Sequence, residues 1–173
     1  MSYLAPPESG WDDLYREESG RIAAALGETV LDIQHIGSTA VPGIWAKPIL
    51  DIAVRARSFP VLDDIERHLE ALGYEYRWDI NPGPLGWHYF VLREPRVVHL
   101  HVFGPDGGEF DRHVMLRDYL RAFPEAARRY DAEKQRLAAV HPEDKIAYTQ
   151  DKGSIVRELE DEARAWLGER TKV

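Results

Sequence analysis

The chain contains no cysteine. That excludes disulfides, thiolate metal sites and a cysteine nucleophile together. No apolar run approaches the ~20 residues that a membrane-spanning helix needs. The first eight residues lack a basic stretch followed by an apolar one, so no signal peptide is expected. An excess of positive charge is also missing. The formal net charge is −8, whereas duplex nucleic acid and anionic membranes are gripped mainly by basic patches. The expectation is therefore a cytoplasmic protein with no nucleic-acid and no membrane partner. A local basic pocket for a small phosphorylated ligand is compatible with this balance, and a protein partner is left open.

What is present fits one globular domain of 173 residues, with 44% hydrophobic and 30% charged side chains. Residues 11–26 place Trp11, Leu14, Tyr15, Ile22 and Leu26 on one helical face, and Gly27 is a plausible stop. Residues 30–36 alternate as a strand, with Leu31 and Ile33 expected on one side and Asp32 and Gln34 on the other. Residues 49–55 form a second strand. Pro60 is expected to open a helix burying Val61, Leu62, Ile65, Leu69 and Leu72, with Gly73 ending it. A short strand at 74–78, a turn cluster at 81–86 and a hairpin of strands 88–93 and 96–103 follow. The Gly-rich stretch 104–108 closes the sheet region. Beyond it the pattern is helical: 112–122, 124–140, and a third helix after Pro142 with Ile155, Leu159, Ala163 and Trp166 as its apolar stripe. Gly153 is the weak point of that last helix. The order indicates an α+β fold.

The chemistry gathers in the segment 35–54, where a Gly37-Ser38 turn joins two strands and the second strand carries Asp51. Glycine lets a turn approach a ligand closely, and serine adds a hydroxyl beside exposed N–H groups. Strand alternation puts Leu50, Ile52 and Val54 on one face and Asp51, Ala53 and Arg55 on the other. Along the later strand Val98, Leu100 and Val102 share a face, opposite His99 and His101. If the two strands are neighbours, Asp51, His99 and His101 could converge on a divalent ion. Equally, the histidines could line a solvated sheet face, and Gly37-Ser38 could be an ordinary tight turn. His35 is better placed to hold the turn by a hydrogen bond than to bind metal. Trp87, His88 and Tyr89 are candidates for cleft wall or packing.

These residues resemble a known family. The stretches 35–43, 47–52, 99–102 and 116–121, with Tyr130, Lys134, Tyr148 and Lys152, are similar to the GrpB family over about residues 11–167. That family is similar to the nucleotidyltransferase superfamily and also occurs fused behind dephospho-coenzyme A kinase. The resemblance implies a nucleotidyltransferase-like mixed β-sheet flanked by helices over about 11–108. A C-terminal helical subdomain over about 109–167 would follow, with the ligand cleft between them in one domain spanning 1–173. In active nucleotidyltransferases the Gly-Ser turn holds phosphate oxygens and two carboxylates one residue apart bind magnesium. Gly37, Ser38 and Asp51 match; the second carboxylate position is Ala53, and His99 or His101 stands where a third acid could be.

Two helical pairs, Tyr130 with Lys134 and Tyr148 with Lys152, each share a face. They could stack a ring and grip a phosphate, or Tyr could pack and Lys be solvated. Lys47, Arg117 and Arg121 are further candidates for the anion, with Asp118 able to orient an arginine. The leading expectation is a metal-dependent nucleotidyl transfer to a small acceptor. Asp51 and His101 would be catalytic, Asp51, His99 and His101 would hold magnesium, manganese or zinc, and the cationic and aromatic set would hold the nucleotide. Two alternatives stand beside it: a non-catalytic nucleotide- or anion-binding module, and a His/Asp metal enzyme of altered chemistry.

Overall fold

The computed structural model describes residues 3–59, 61–77, 87–106 and 108–170. The expectations at Pro60, Trp78, 81–86 and Gly107 lie outside the described residues. The elements run α1 (Trp11–Leu26), β1 (Val30–Ile36), a 3-10 turn (Ser38–Ala40), β2 (Leu50–Ala56), α2 (Leu62–Glu70), β3 (Glu75–Tyr76), β4 (Trp87–Leu92) and β5 (Val98–Phe103). Three helices complete the chain: α3 (Gly108–Ala122), α4 (Pro124–Val140) and α5 (Lys145–Arg170). The sheet order is β1-β2-β5-β4-β3. Among the described strands only β2 and β5 run parallel; the other pairs are antiparallel. This is a mixed sheet flanked by helices, as expected.

One face of the sheet is aliphatic because the alternating positions of β2 and β5 are. Leu50, Ile52, Val54, Val98, Leu100 and Val102 have no exposed surface, and they pack under Ile22 and Leu26 of α1 and Ile65 and Leu69 of α2. Burying each such side chain stabilises the fold by roughly 1.5–3 kcal/mol. Tyr74 crosses from the end of α2 to donate its hydroxyl to the buried Glu18 carboxylate of α1, at 2.9 Å. An acid on the buried side of α1 breaks its amphipathic pattern, and this hydrogen bond explains why it is tolerated.

Two expectations about faces are corrected. In β1 the register slips between Val30 and Asp32, a bulge that leaves Leu31 half exposed and turns Val30 and Ile33 toward the core together. Leu31 and Ile33 therefore do not share a face. Helix α2 starts at Leu62, and Val61, in extended backbone just before it, is 64% exposed rather than buried.

In the helical half, α3 begins at Gly108 rather than Arg112, with Glu109 and Asp111 in its first turn, where acids complement the helix dipole. Helix α4 takes Pro124 at its start, where no N–H is missed. Helix α5 is capped by Asp144, whose carboxylate accepts the N–H groups of Ile146 and Ala147. It runs through Gly153 unbroken. The three helices bury Tyr119, Leu120, Ala126, Ala127, Tyr130, Leu159 and Ala163 against Val41 and Ile44 from the segment after the 3-10 turn. Leu137 and Tyr148 close on Leu4. The helical half is thus stitched to the loop that links β1 to β2. Among the described residues no helix is long and apolar enough to cross a membrane.

Candidate functional site

The site begins with a steric fact at Gly37. Its φ is +73°, and a Cβ there would stand 2.5 Å from Asp51 Oδ2. Only glycine fits both the backbone and the space. The turn and the carboxylate face each other because Ile36 pairs with Asp51 across the β1–β2 ladder. The parallel ladder then sets Asp51 opposite His99 and Ala53 opposite His101. His99 Nδ1 lies 3.2 Å from Asp51 Oδ1.

Around the turn, the polar groups form a scaffold. The Thr39 hydroxyl donates to the Ile49 carbonyl, so His35 Nε2 donates to Thr39 Oγ1 at 3.0 Å. His35 is buried, stacks on Tyr15, and is pushed down to about 4 by burial first and by Arg121 next, so it stays neutral. It holds the turn. Arg117 donates to the His35 carbonyl and to Gln34, both at 2.8 Å, and also pairs with Asp118. Arg121 donates to the Ala40 carbonyl at 2.7 Å. Both arginines expected on the anion thus clasp the two ends of the turn from α3. Arg121 faces a separate depression of about 300 Å³ with Asp12 and His35.

The cleft itself has two adjoining chambers that share Gly37, Asp51, Tyr130 and Lys152. The first, about 210 Å³, is lined by Ser38, Thr39, Lys47, His99, Lys134 and Tyr148 besides those four. It gathers most of the expected anion-binding residues. Lys47 lies over the rings of Tyr3 and Tyr148, at 5.2 and 4.9 Å, and Lys152 lies 5.8 Å from the Tyr148 ring. Neither lysine has a carboxylate within 4 Å among the described residues, and burial, then Lys152 and Lys145, lower the Lys47 pKa. Lys134 differs. It is 1% exposed, donates to the Trp45 carbonyl and sits 3.5 Å from Asp131, which accepts the Trp45 N–H. Burial lowers its pKa to about 8 despite Asp131. Lys134 is chiefly a clamp between α4 and the 41–49 segment. Burial raises the Tyr148 hydroxyl, with Tyr130 and Tyr3 adding to the effect.

The second chamber, about 220 Å³, holds His101 and Arg117 among the expected residues. His101 belongs to an aromatic layer: its ring stacks on Trp87 at 5.3 Å and Phe103 at 6.1 Å, and tilts against Tyr89 at 4.9 Å, while Asp51 lines the same chamber and favours its charged form. Burial drives its pKa to about 3. Trp87 and Tyr89 are therefore the floor beneath the histidines. Sequence reasoning missed Arg112, His113 and Glu160 on this wall. The signal was helical spacing: His113, Leu116, Arg117 and Leu120 fall on one face of α3, and Lys152, Val156 and Glu160 on one face of α5.

A family model described as GrpB protein matches residues 3–162. The chain belongs to the GrpB family. It is 34% identical over 166 residues to Glutamate-rich protein GrpB of Alkalihalophilus pseudofirmus, covering 92% of this chain and 94% of that one. It is 33% identical over 157 residues to the UPF0157 protein YqkA of Bacillus subtilis, covering 90% of this chain and 45% of YqkA, so it spans less than half of that relative. The crystal structure of the conserved protein GrpB from Enterococcus faecalis matches with a TM-score of 0.84 at 32% identity, over 94% of this chain and 99% of that one. There is also a weaker similarity, 28% over 158 residues, to the dephospho-CoA kinase of Mycolicibacterium paratuberculosis, with 76% of this chain and 38% of that protein covered.

Among the described residues, the side chains around Asp51 do not make up the donor set of a two-ion site. Among the described residues no group of three or more His, Asp or Glu is arranged to hold a metal ion. Asp51 and His99 form a pair, and His101 belongs to the aromatic layer. Ala53 has no ligand atom, and the groups facing Asp51 across the first chamber include three lysines. Magnesium wants several hard oxygens, and one carboxylate among ammonium groups does not supply them.

Proposed function

We propose that this GrpB chain binds a phosphorylated small molecule, with the phosphate seated between the Gly37-Ser38 turn and the lysine pair Lys47 and Lys152. The observation that carries this reading is that pair: two partly buried ammonium groups around a shared Tyr148 ring, with no carboxylate within 4 Å among the described residues. Like charges held close cost energy that a bound anion recovers. The 3-10 turn adds leading N–H groups that have no partners within the turn itself. Calorimetric titration with inorganic pyrophosphate checks the proposal. Wild type binds, and Lys47→Ala and Lys152→Ala each weaken binding by about tenfold, the scale of one charge-assisted contact. Unchanged affinity in both variants contradicts it.

A second reading, nucleotidyl transfer to a small acceptor, is favoured by the Asp51–His99 contact, since a carboxylate that orients an imidazole is the arrangement of a general base. Release of pyrophosphate from a nucleoside triphosphate, with magnesium, manganese or zinc supplied in turn, is its measurement. Release that stops in Asp51→Asn supports transfer. Binding without release across these ions leaves the protein a binding module.

A further inference from the structure

The depression that Arg121 faces lies outside the cleft: of its lining residues only Arg117 also borders a chamber. Its volume of about 300 Å³ reaches the lower end of the roughly 300–1,000 Å³ usual for a small-molecule site. Most of its polar groups are engaged by the protein itself. Arg117 is taken by Asp118, Gln34 and the His35 carbonyl, Arg16 by Asp13, and the Tyr15 hydroxyl by the Ile33 carbonyl. Three groups are left over. Arg121 engages only its Nε, on the Ala40 carbonyl, and has no ion pair among the described residues. The Asp12 carboxylate accepts no hydrogen bond among them. His35 Nδ1 is buried and has no hydrogen-bond partner. Because Nε2 carries the proton given to Thr39, Nδ1 of the neutral ring is an acceptor. It stands 3.9 Å from Asp12 Oδ1, too far for a direct hydrogen bond. Two acceptors side by side call for a donor that reaches both, and a buried acceptor without one is costly. An ammonium supplies N–H groups to both and a charge to Asp12, while the free fork of Arg121 suits a carboxylate. The three leftover groups are thus complementary to a zwitterion. The depression shares Asp12 and Arg16 with a groove of about 360 Å³ whose walls include Pro6, Pro7, Val41, Pro42 and Ile44. That groove offers apolar surface to a side chain carried by the zwitterion.

We infer that this depression binds a free amino acid with an apolar side chain. Its ammonium lies between Asp12 and His35 Nδ1, its carboxylate on Arg121, and its side chain along the proline-lined groove. The site is independent of the phosphate reading, since neither Lys47 nor Lys152 lines it. Calorimetry tests it with L-leucine, L-methionine, L-phenylalanine and glycine. Two further probes are the amine and the acid that correspond to the tightest binder but lack one charged end. At least one of the three apolar amino acids is expected to bind, with glycine and both truncated compounds weaker by about tenfold or more. Asp12→Asn removes the charge of an exposed side chain and should leave the urea midpoint near that of wild type. In this variant the amino acid should bind about tenfold weaker, and its advantage over the acid that lacks the ammonium should vanish. Arg121→Gln should likewise erase the advantage over the amine. No binding of any amino acid, the result if ordered water alone bridges Asp12 and His35, overturns the proposal. So does an affinity that Asp12→Asn leaves unchanged. Glycine binding as tightly as the others overturns the placement of a side chain in the groove.

Discussion

The two faces of β2 and β5 are built from adjacent residues and yet do opposite things. On one face, Leu50, Ile52, Val54 and Leu100 meet aliphatic partners from α1 and α2 and are fully buried. On the other, one residue along in each strand, Asp51 and His99 stand about a quarter exposed beside a cleft. The lesson is that partners, not residue type alone, separate structural from functional polarity here. Arg117, Arg121 and Lys134 are cations tied to backbone carbonyls, whereas Lys47 and Lys152 lie over aromatic rings with no ion pair within 4 Å among the described residues.

The sharpest way to break this contrast is from the aliphatic side. Leu100→Ala should destabilise the protein by about 2–5 kcal/mol in urea unfolding, the usual cost of a cavity in a packed core. Pyrophosphate affinity of its folded fraction should barely change. Gly37→Ala acts on both sides of the contrast: the φ of +73° and the Asp51 carboxylate both oppose the added methyl. A loss of about 1–3 kcal/mol is expected from the backbone alone, together with weaker anion binding as the Gly37-Ser38 turn is displaced.

A smaller effect comes through pH. His35 has a folded pKa of about 4, below its ordinary 6.5, so the unfolded chain takes up its proton first as pH falls. The stability tied to neutral His35 is complete above pH 6.5 and is lost progressively toward pH 4. Burial of His101 and His113 acts in the same direction. The urea midpoint should fall across that interval, and His35→Gln, which cannot take the proton, should fall less.

Much of this fold is legible in residue order. Period-2 alternation placed strands at 49–55 and 96–103, within two residues of β2 and β5, and gave both faces, and helical spacing with Gly27 located α1. The bulge at Leu31 was hidden because it depends on how β1 pairs, not on its own pattern. The site was legible as a set of residue types, and the first chamber brings together Gly37, Ser38, Lys47, Asp51, His99, Tyr130, Lys134, Tyr148 and Lys152. What a linear reading could not supply is each cation's partner. Nothing near Arg117 in sequence points to the His35 carbonyl, and nothing near Lys134 points to that of Trp45. Such contacts arise only when α3 and α4 fold back on the loop between β1 and β2.

The central claim is that the lysine pair binds the anion directly, with Asp51 as a neighbouring like charge rather than as the holder of a bridging cation. Asp51→Asn keeps the shape of the side chain and removes its charge. In the absence of divalent ions, pyrophosphate titrated into this variant should bind about fivefold tighter than to wild type, from the removal of ~1 kcal/mol of repulsion across a solvated cleft. Weaker binding in Asp51→Asn would contradict the account.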